Sequence, residues 1–521
     1  MADYHSSEIV ANLPASITDV VESWARSSPN HPALTEASDT WTYSALAEVM
    51  RETRTWLKNA GVRSGDRVMI VCENCRALIA LFLATVSMEA WPVLVNAQLS
   101  AREIEQIREH SGARCVLYTS ASSLLANEHA KRCGAVPVFL ERLGQISVGP
   151  LNESIAPELV EAEVHDRVAA MIYTSGTTGQ PKGVMLTHRN LLFIAAVSAK
   201  IRSLTPEDRL YAILPMSHAV GLSVVLLGTL LSGATLYLAA RFDPMAARTV
   251  IEKERITVLL GVPSMFGQFL QYAKLRKLQS LHFPALRIIS SSGAPLDLAT
   301  KQATEKLFGL SLHNGYGITE CSPTIAQTRV ETPRSDISVG QFLPGVEAKF
   351  VGPDKKEVAL GEVGELWLRG PNIMKGYYRA PELTATAIDA RGWFNTRDLA
   401  RLVDGNLFVV GRTKELIVRS GFNVYPAEVE AVLNAHSAVV RSAVIGRLIR
   451  ADEEILAFVE ISPGSQVTTM ELAEHAARHL ATYKRPSRIV LVSTMPVTPT
   501  GKIAKNELAK MILEHQETLP V

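Results

Sequence analysis

The sequence predicts an α/β protein: a large N-terminal domain of parallel α/β layers that also carries a β-rich subdomain, followed by a small α+β C-terminal domain. Three observations carry that expectation. At 521 residues the chain exceeds what one hydrophobic core normally supports, so two or more domains are required. Helical and extended hydrophobic periods alternate as far as Asn314, and the texture then changes at Val339 and again after Gly411.

Taken in order, Leu46, Val49, Met50, Trp56 and Leu57 share one helical face that Gly61 can terminate. Residues 67–71 read as a strand, 77–88 as an apolar helix, 101–110 as another helix and 115–118 as a strand, an alternation typical of parallel sheets covered by helices. Residues 210–240 contain no Asp, Glu, Lys or Arg, but Pro215, His218, Gly221, Gly228 and Gly233 punctuate the run. It therefore divides into a strand (211–214), a polar turn, a buried helix and a strand (235–239) rather than a membrane span. Residues 256–260, 286–290 and 311–314 are further short strands, separated by helices such as 298–307, and the loops that follow them gather at one sheet edge. From 339 to 410, short strands punctuated by Gly345, Gly361, Gly364, Gly370, Gly392 and Gly405 predict a β-rich subdomain or distorted barrel. Helices at 427–433 and 470–480 with strands at 441–444, 455–461 and 488–492 then make a compact unit, which divides the chain into domains 1–411 and 412–521.

With 47% hydrophobic and 20% charged residues the composition is that of a globular protein. Fifty-three basic against 52 acidic side chains leave a net charge of +1, which gives no general attraction to nucleic acid or anionic membrane, so any anion site must be local. No nucleic-acid partner and no transmembrane segment are expected; a homo-oligomer is compatible with the composition. Five cysteines (Cys72, Cys75, Cys115, Cys133, Cys321) do not make a disulfide framework, and a reducing cytoplasm is the expected location. Cys72-Glu-Asn-Cys75 has the spacing of a zinc or redox pair but lacks a second pair and a nearby histidine, which favours plain occupancy of a strand end. The N-terminus lacks the basic and apolar regions of a secretory signal.

Residues Tyr173-Thr-Ser-Gly-Thr-Thr-Gly-Gln-Pro-Lys-Gly183 carry the chemistry. Glycines allow close backbone approach, Thr174, Ser175, Thr177 and Thr178 supply hydroxyls, and Lys182 adds a positive charge, which together suit a polyphosphate. A Walker A loop is excluded because Lys182 follows proline and precedes glycine. A surface linker is the bland alternative, but the apolar run 168–173 delivers the loop from a buried strand.

The loop has company: Pro215-Met-Ser-His-Ala-Val-Gly221, Asn314-Gly-Tyr-Gly-Ile-Thr-Glu320, Trp393-Phe-Asn-Thr-Arg-Asp398, Gly411-Arg-Thr-Lys-Glu-Leu-Ile417 and Pro499-Thr-Gly-Lys502. In this combination and order, from Pro32 to Lys505, the chain resembles the adenylate-forming superfamily, in particular its AMP-forming acyl- and aryl-CoA synthetases. The resemblance implies that Thr174, Ser175, Gly176, Thr177, Thr178, Gly179 and Lys182 hold the β- and γ-phosphates of ATP, and that Glu320 binds Mg²⁺. It implies that Tyr316 stacks on adenine in a pocket built from Gly293, Ala294, Asn314, Gly315 and Gly317, that Thr319 reaches the α-phosphate, and that Asp398, with Arg412 beside it, accepts the ribose hydroxyls. Lys502 would bridge the carboxylate and α-phosphate. The small domain would then rotate about Lys414, bringing Gly421 to the site, while His218 moves aside for pantetheine.

The implied activity is an ATP-dependent carboxylic acid:CoA ligase that works through an acyl-adenylate. A stand-alone enzyme loading a carrier protein is the alternative, and Ala219, where amino-acid-activating relatives place Asp, disfavours an α-amino acid substrate. A regulatory protein that kept the fold without the reaction, and a luciferase-like oxygenase, are more distant alternatives. Candidate pocket segments 220–223, 262–265, 290–293 and 322–325, including Val220, Ser264, Ser292 and Ser322, carry no Lys or Arg. They predict a monocarboxylic acid with an apolar aromatic or aliphatic body.

Overall fold

The computed structural model describes residues 6–175, 181–419, 422–449, 452–462, 464–497 and 503–514. Among them, two large sheets and a smaller antiparallel one make up the N-terminal part, and a three-stranded sheet forms the core of the C-terminal part.

In the first large sheet the strands Val168–Ser175, Trp91–Asn96, Arg67–Cys72 and Cys115–Tyr118 are parallel, with antiparallel strands at both edges. In the second, Pro32–Glu36, Thr235–Leu238, Arg209–Ala212, Val258–Gly261, Ile288–Ser291 and Leu312–Gly317 run parallel. Helices Arg76–Ser87 and His188–Ile201 are buried along nearly their whole length, which is why their sequences are apolar all round. Cys72 ends its strand, and Cys75 caps the helix Arg76–Ser87 by accepting from Leu78 N–H at 3.4 Å. Burial raises the pKa of both thiols, that of Cys75 to about 11, so neither is a poised thiolate.

The charge-free run 210–240 forms strand, turn, helix and strand, with one departure. Val220–Leu227 winds as a wide π-helix before the α-turn Gly228–Leu231, a form that concentrates at functional sites. The β-rich subdomain is an open antiparallel sheet, Glu347–Val351, Gly364–Arg369, Phe394–Val403 and Asn406–Arg412, rather than a barrel. Its last strand is tied back to the second sheet by bonds between Leu407 and the backbone of Val339 and Gly340. In the C-terminal part, Val439–Ile449, Asp452–Ile461 and Arg488–Val492 pack with helices Pro426–Asn434 and Thr469–His479 around Val429, Leu433, Val444, Ala457, Leu472 and Ala476. Among the described residues no helix is long and apolar enough to cross a membrane.

Both large sheets are clamped at the edge where their parallel strands begin. Asp208 precedes Arg209–Ala212; its carboxylate accepts from Thr257 Oγ1 (2.7 Å), Arg287 (2.7 and 2.9 Å) and the Thr205 N–H (2.9 Å), so it joins the starts of three adjacent strands. Asp66 plays the same part in the first sheet, with Arg63 and with Arg114 at 3.2 Å. Structural ionic contacts therefore occupy one edge, and the opposite edge is left to loops.

Burial works to raise the Asp208 carboxyl, but Arg287, Thr257 and Thr205 outweigh it and hold its pKa below the usual carboxylate range. Its stabilising contribution is therefore present above the unfolded pKa and lost as pH falls through the lowered folded value. Asp208→Asn is expected to cost about 2 kcal/mol at neutral pH. The deficit in urea-unfolding free energy should shrink in acid as the wild-type carboxylate protonates.

Candidate active site

The loops at the free edge bring three sheets together. Strand Val168–Ser175 turns back into Pro181–Thr187, and the register sets Thr174 opposite Lys182. Gly176, Thr177, Thr178 and Gly179 lie outside the described residues. Strand Gly376–Tyr377 pairs with the other side of Pro181–Thr187, so that Lys182 Nζ sits 5.5 Å over the Tyr377 ring. The Tyr377 hydroxyl donates to Glu320 Oε1 at 2.9 Å. Burial first, and Glu320 second, raise the Tyr377 pKa, which keeps the phenol a donor. Glu320 stands in the short helical turn Thr319–Cys321, and its carbonyl accepts from Met374 N–H at 2.9 Å.

Glu320 fits the expected Mg²⁺. Tyr377 engages one carboxylate oxygen, and among the described residues no hydrogen bond engages the other, which leaves it for a hard cation. Among the described residues no three His, Cys, Asp or Glu side chains converge. A single carboxylate completed by phosphate oxygens and waters is how this ion is commonly bound.

A second chain of contacts joins the second sheet to the subdomain. The Tyr316 hydroxyl donates to Asp398 Oδ2, and Arg412 Nε donates to Asp398 Oδ1 at 2.9 Å from the directly paired position on the neighbouring strand. Thr396 Oγ1 accepts from the Asp398 N–H and donates to the Leu366 carbonyl, which fixes the turn entering this position. Burial raises the Asp398 pKa, with Arg412 and Tyr316 opposing. A carboxylate has about four lone-pair sites, so two stay open for vicinal hydroxyls. Burial, then Glu320, then Asp398 raise the pKa of the Cys321 thiol.

Gly317 cannot carry a side chain: a Cβ there would come 2.0 Å from the Pro323 carbonyl oxygen. Gly315, Tyr316, Gly317, Ser292 and Gly293 line a cleft together with Val220, Val224, Leu260 and Ser290. Ala294 follows on the same loop. Asn314 is buried, and its amide donates to the Ile337 and Ser338 carbonyls, so the side chain supports the wall instead of facing a ligand. Of the sequence-derived pocket residues, Val220 and Ser292 line the cleft. Ser322 does not: its hydroxyl donates to the Asn372 carbonyl and its own carbonyl accepts from Ser223, so both polar groups are spent on the fold. Ser264 sits in the first turn of helix Pro263–Leu275, away from the lining. A further correction concerns charge. Arg202, outside every segment chosen from sequence, lines the cleft.

His218 is half-buried in the turn before the π-helix, its carbonyl accepting from Leu222 N–H at 2.9 Å. Lys414 is exposed in the turn Thr413–Glu415. Gly421 and Lys502 lie outside the described residues. Nearby Lys505 is held by Glu430 at 2.8 Å and Glu415 at 3.2 Å. Tyr377, Arg202 and Gln327 were missed in sequence, since a tyrosine on a two-residue strand, an arginine at a helix end and a glutamine in a strand carry no motif.

The model of the AMP-binding enzyme family matches residues 21–378, and that of the AMP-binding enzyme C-terminal domain matches 428–502. A feruloyl-CoA synthase from Amycolatopsis sp is 34% identical over 495 residues, spanning 93% of this chain and 97% of that one. The ATP-bound structure of MatB from Rhodopseudomonas palustris aligns with a TM-score of 0.83 at 28% identity, over 95% of this chain and 99% of that one. The O-succinylbenzoate Coenzyme A synthetase MenE from Bacillus subtilis, in complex with ATP and magnesium ion, aligns with a TM-score of 0.81 at 28% identity, over 94% and 99%.

Tyr316→Phe keeps the ring and removes the donor to Asp398. It is expected to lower unfolding free energy by about 1.5–3 kcal/mol. The loss falls on the ionised carboxylate, so urea titrations at two pH values should show a larger deficit above the Asp398 pKa than below it.

Proposed function

Because the chain belongs to the AMP-binding enzyme family, we propose that it is an ATP-dependent carboxylic acid:CoA ligase. A carboxylate oxygen attacks the α-phosphorus of ATP and the bond to the β-phosphate oxygen breaks, giving an acyl-adenylate and pyrophosphate. The CoA thiolate then attacks the acyl carbon, and AMP leaves. The observation that carries this reading is the junction where Lys182, Glu320 and the Asp398–Arg412 pair meet. It offers one cation, one carboxylate held through a single oxygen and one oriented ribose acceptor, which is what positioning a triphosphate requires.

In this reading Thr174, Ser175, Gly176, Thr177, Thr178, Gly179 and Lys182 hold the β- and γ-phosphates. Tyr316 stacks on adenine between Gly293, Ala294, Gly315 and Gly317, Thr319 reaches the α-phosphate, and Asp398 accepts the ribose hydroxyls with Arg412 beside it. Glu320 holds Mg²⁺, whose charge screens the phosphates. His218 borders the thiol approach. Lys502, brought by the C-terminal domain, bridges the two reacting anions. The domains divide at Gly411 and Arg412, with Lys414 as hinge, and Gly421 belongs to the face used for thioester formation. Five free cysteines support a reducing cytoplasmic location. The acid carries an aromatic body between Val220, Val224 and Leu260, in keeping with the feruloyl and succinylbenzoate names of the relatives. CoA is preferred over a carrier protein as acceptor on the same ground.

With ATP, Mg²⁺, CoA and an aromatic acid, the enzyme is expected to yield AMP, pyrophosphate and thioester in equal amounts. Lys502→Ala should slow adenylation about 10²-fold or more while thioester formation from preformed acyl-adenylate persists. Equal loss of both half-reactions in a folded variant would overturn the role given to Lys502.

A further inference from the structure

The inner end of the cleft carries polar groups that adenylation does not use. Arg202 follows helix His188–Ile201 and is only 6% exposed. One terminal nitrogen donates to the Ser198 carbonyl at 3.2 Å, its Nε has no hydrogen-bond partner, and among the described residues no carboxylate pairs with it. Asp208, close by in sequence, is committed to Arg287. Burial lowers the Arg202 pKa to about 10, so the guanidinium is still charged at neutral pH. Gln327 is 1% exposed, and both its amide oxygen and its amide nitrogen lack partners. Both residues line the cleft, with the Ser290 hydroxyl-bearing side chain.

Strand register fixes the depth. Leu260, Ser290 and His313 lie on one rung, one residue inward from Gly261, Ser291 and Asn314. Arg202 enters from the side where these strands begin: its carbonyl accepts from Arg287, just before Ile288–Ser291, at 3.0 Å. With the reacting carboxylate beside Thr319, as the ligase reading has it, the body of the acid would run along Val220, Val224 and Leu260 and its remote end would meet Arg202, all of which line the cleft.

A buried cation without a counter-ion and a buried amide without partners are costly, and in a ligand cleft the missing partner is most economically supplied by the ligand. Resting on the ligase reading, we propose that Arg202 and Gln327 select acids bearing an oxygen acceptor at the end remote from the reacting carboxylate. That acceptor is a second carboxylate or a phenolic oxygen on an otherwise apolar body. The plain apolar monocarboxylic acid expected from the cleft segments alone leaves both side chains unmatched.

Cinnamate, 4-hydroxycinnamate and 4-carboxycinnamate make a matched set. For the wild type, kcat/KM from pyrophosphate release is expected to favour at least one oxygen-bearing acid over cinnamate by about tenfold or more, and the better of the two identifies the acceptor. Arg202→Met should bring that ratio to within about threefold of unity, mainly through KM, whereas Arg202→Lys should keep part of it. Met exchanges an unpaired buried charge for apolar volume, so the variant is expected to fold, which its urea midpoint checks. Equal kcat/KM across the set in the wild type, or an unchanged ratio in Arg202→Met, would overturn the proposal. If no acid releases pyrophosphate, the ligase reading fails, and thermal shifts with each acid alone still decide the cleft. A larger Tm increase from the oxygen-bearing acid, lost in Arg202→Met, supports the assignment, and equal increases reject it.

Discussion

A carboxylate withdrawn from water must be met by donors, and at Asp398 that requirement organises the molecule. Tyr316 comes from the second large sheet and Arg412 from the strand paired beside Asp398 in the subdomain. Neither donor alone satisfies both oxygens, so the subdomain and the sheet have to meet in one arrangement. That arrangement brings the loop carrying Glu320 against Tyr377, which in turn lies under Lys182 of the first sheet. One buried charge thus helps to fix the relation of three sheets, together with the Leu407 backbone bonds and the bond from Ser322 to Asn372.

The division of labour between sheet edges follows from the same economy. Asp208 and Asp66 spend their charge joining strand starts, where nothing has to move or bind. At the opposite edge, glycines and short turns bring backbone close without filling the space, and the charged groups retain open valences. Among the described residues Asp398 keeps two lone-pair sites and Glu320 one oxygen, and no carboxylate pairs with Arg202. Unmet polar capacity is therefore concentrated where a ligand can meet it.

The parallel layers were legible in sequence because buried strands and helices leave unmistakable apolar runs, as in 67–71 and 77–88. Most strand ends were legible to within a residue or two, but Val439–Ile449 runs five residues past the expected 441–444 and Leu312–Gly317 three past 311–314, since register depends on partners far along the chain. The wide helix at Val220–Leu227 had no local signal: its apolar residues suit an α-helix equally well. The open form of the subdomain was invisible for a similar reason, because glycine punctuation marks turns and says nothing of closure. In the site, Lys182, Tyr316, Glu320, Asp398 and Arg412 stand in motifs whose chemistry is local and could be read. Arg202 and Gln327 reach the cleft from a helix end and a strand face, and only tertiary packing shows that the Arg202 Nε and the Gln327 amide arrive there unpartnered. Ser322 shows the converse, a small polar residue suited to a pocket and consumed by Asn372.

The acid is activated at phosphorus, with the carboxylate oxygen becoming bonded to the α-phosphate. Carboxyl-¹⁸O-labelled acid tests this most directly, with AMP, pyrophosphate and thioester analysed by mass spectrometry after turnover with CoA. The account predicts one ¹⁸O in AMP and none in pyrophosphate, because the bridging oxygen of the acyl-adenylate departs with AMP when the thiolate attacks. Unlabelled AMP, or label in inorganic phosphate formed together with ADP, would contradict it.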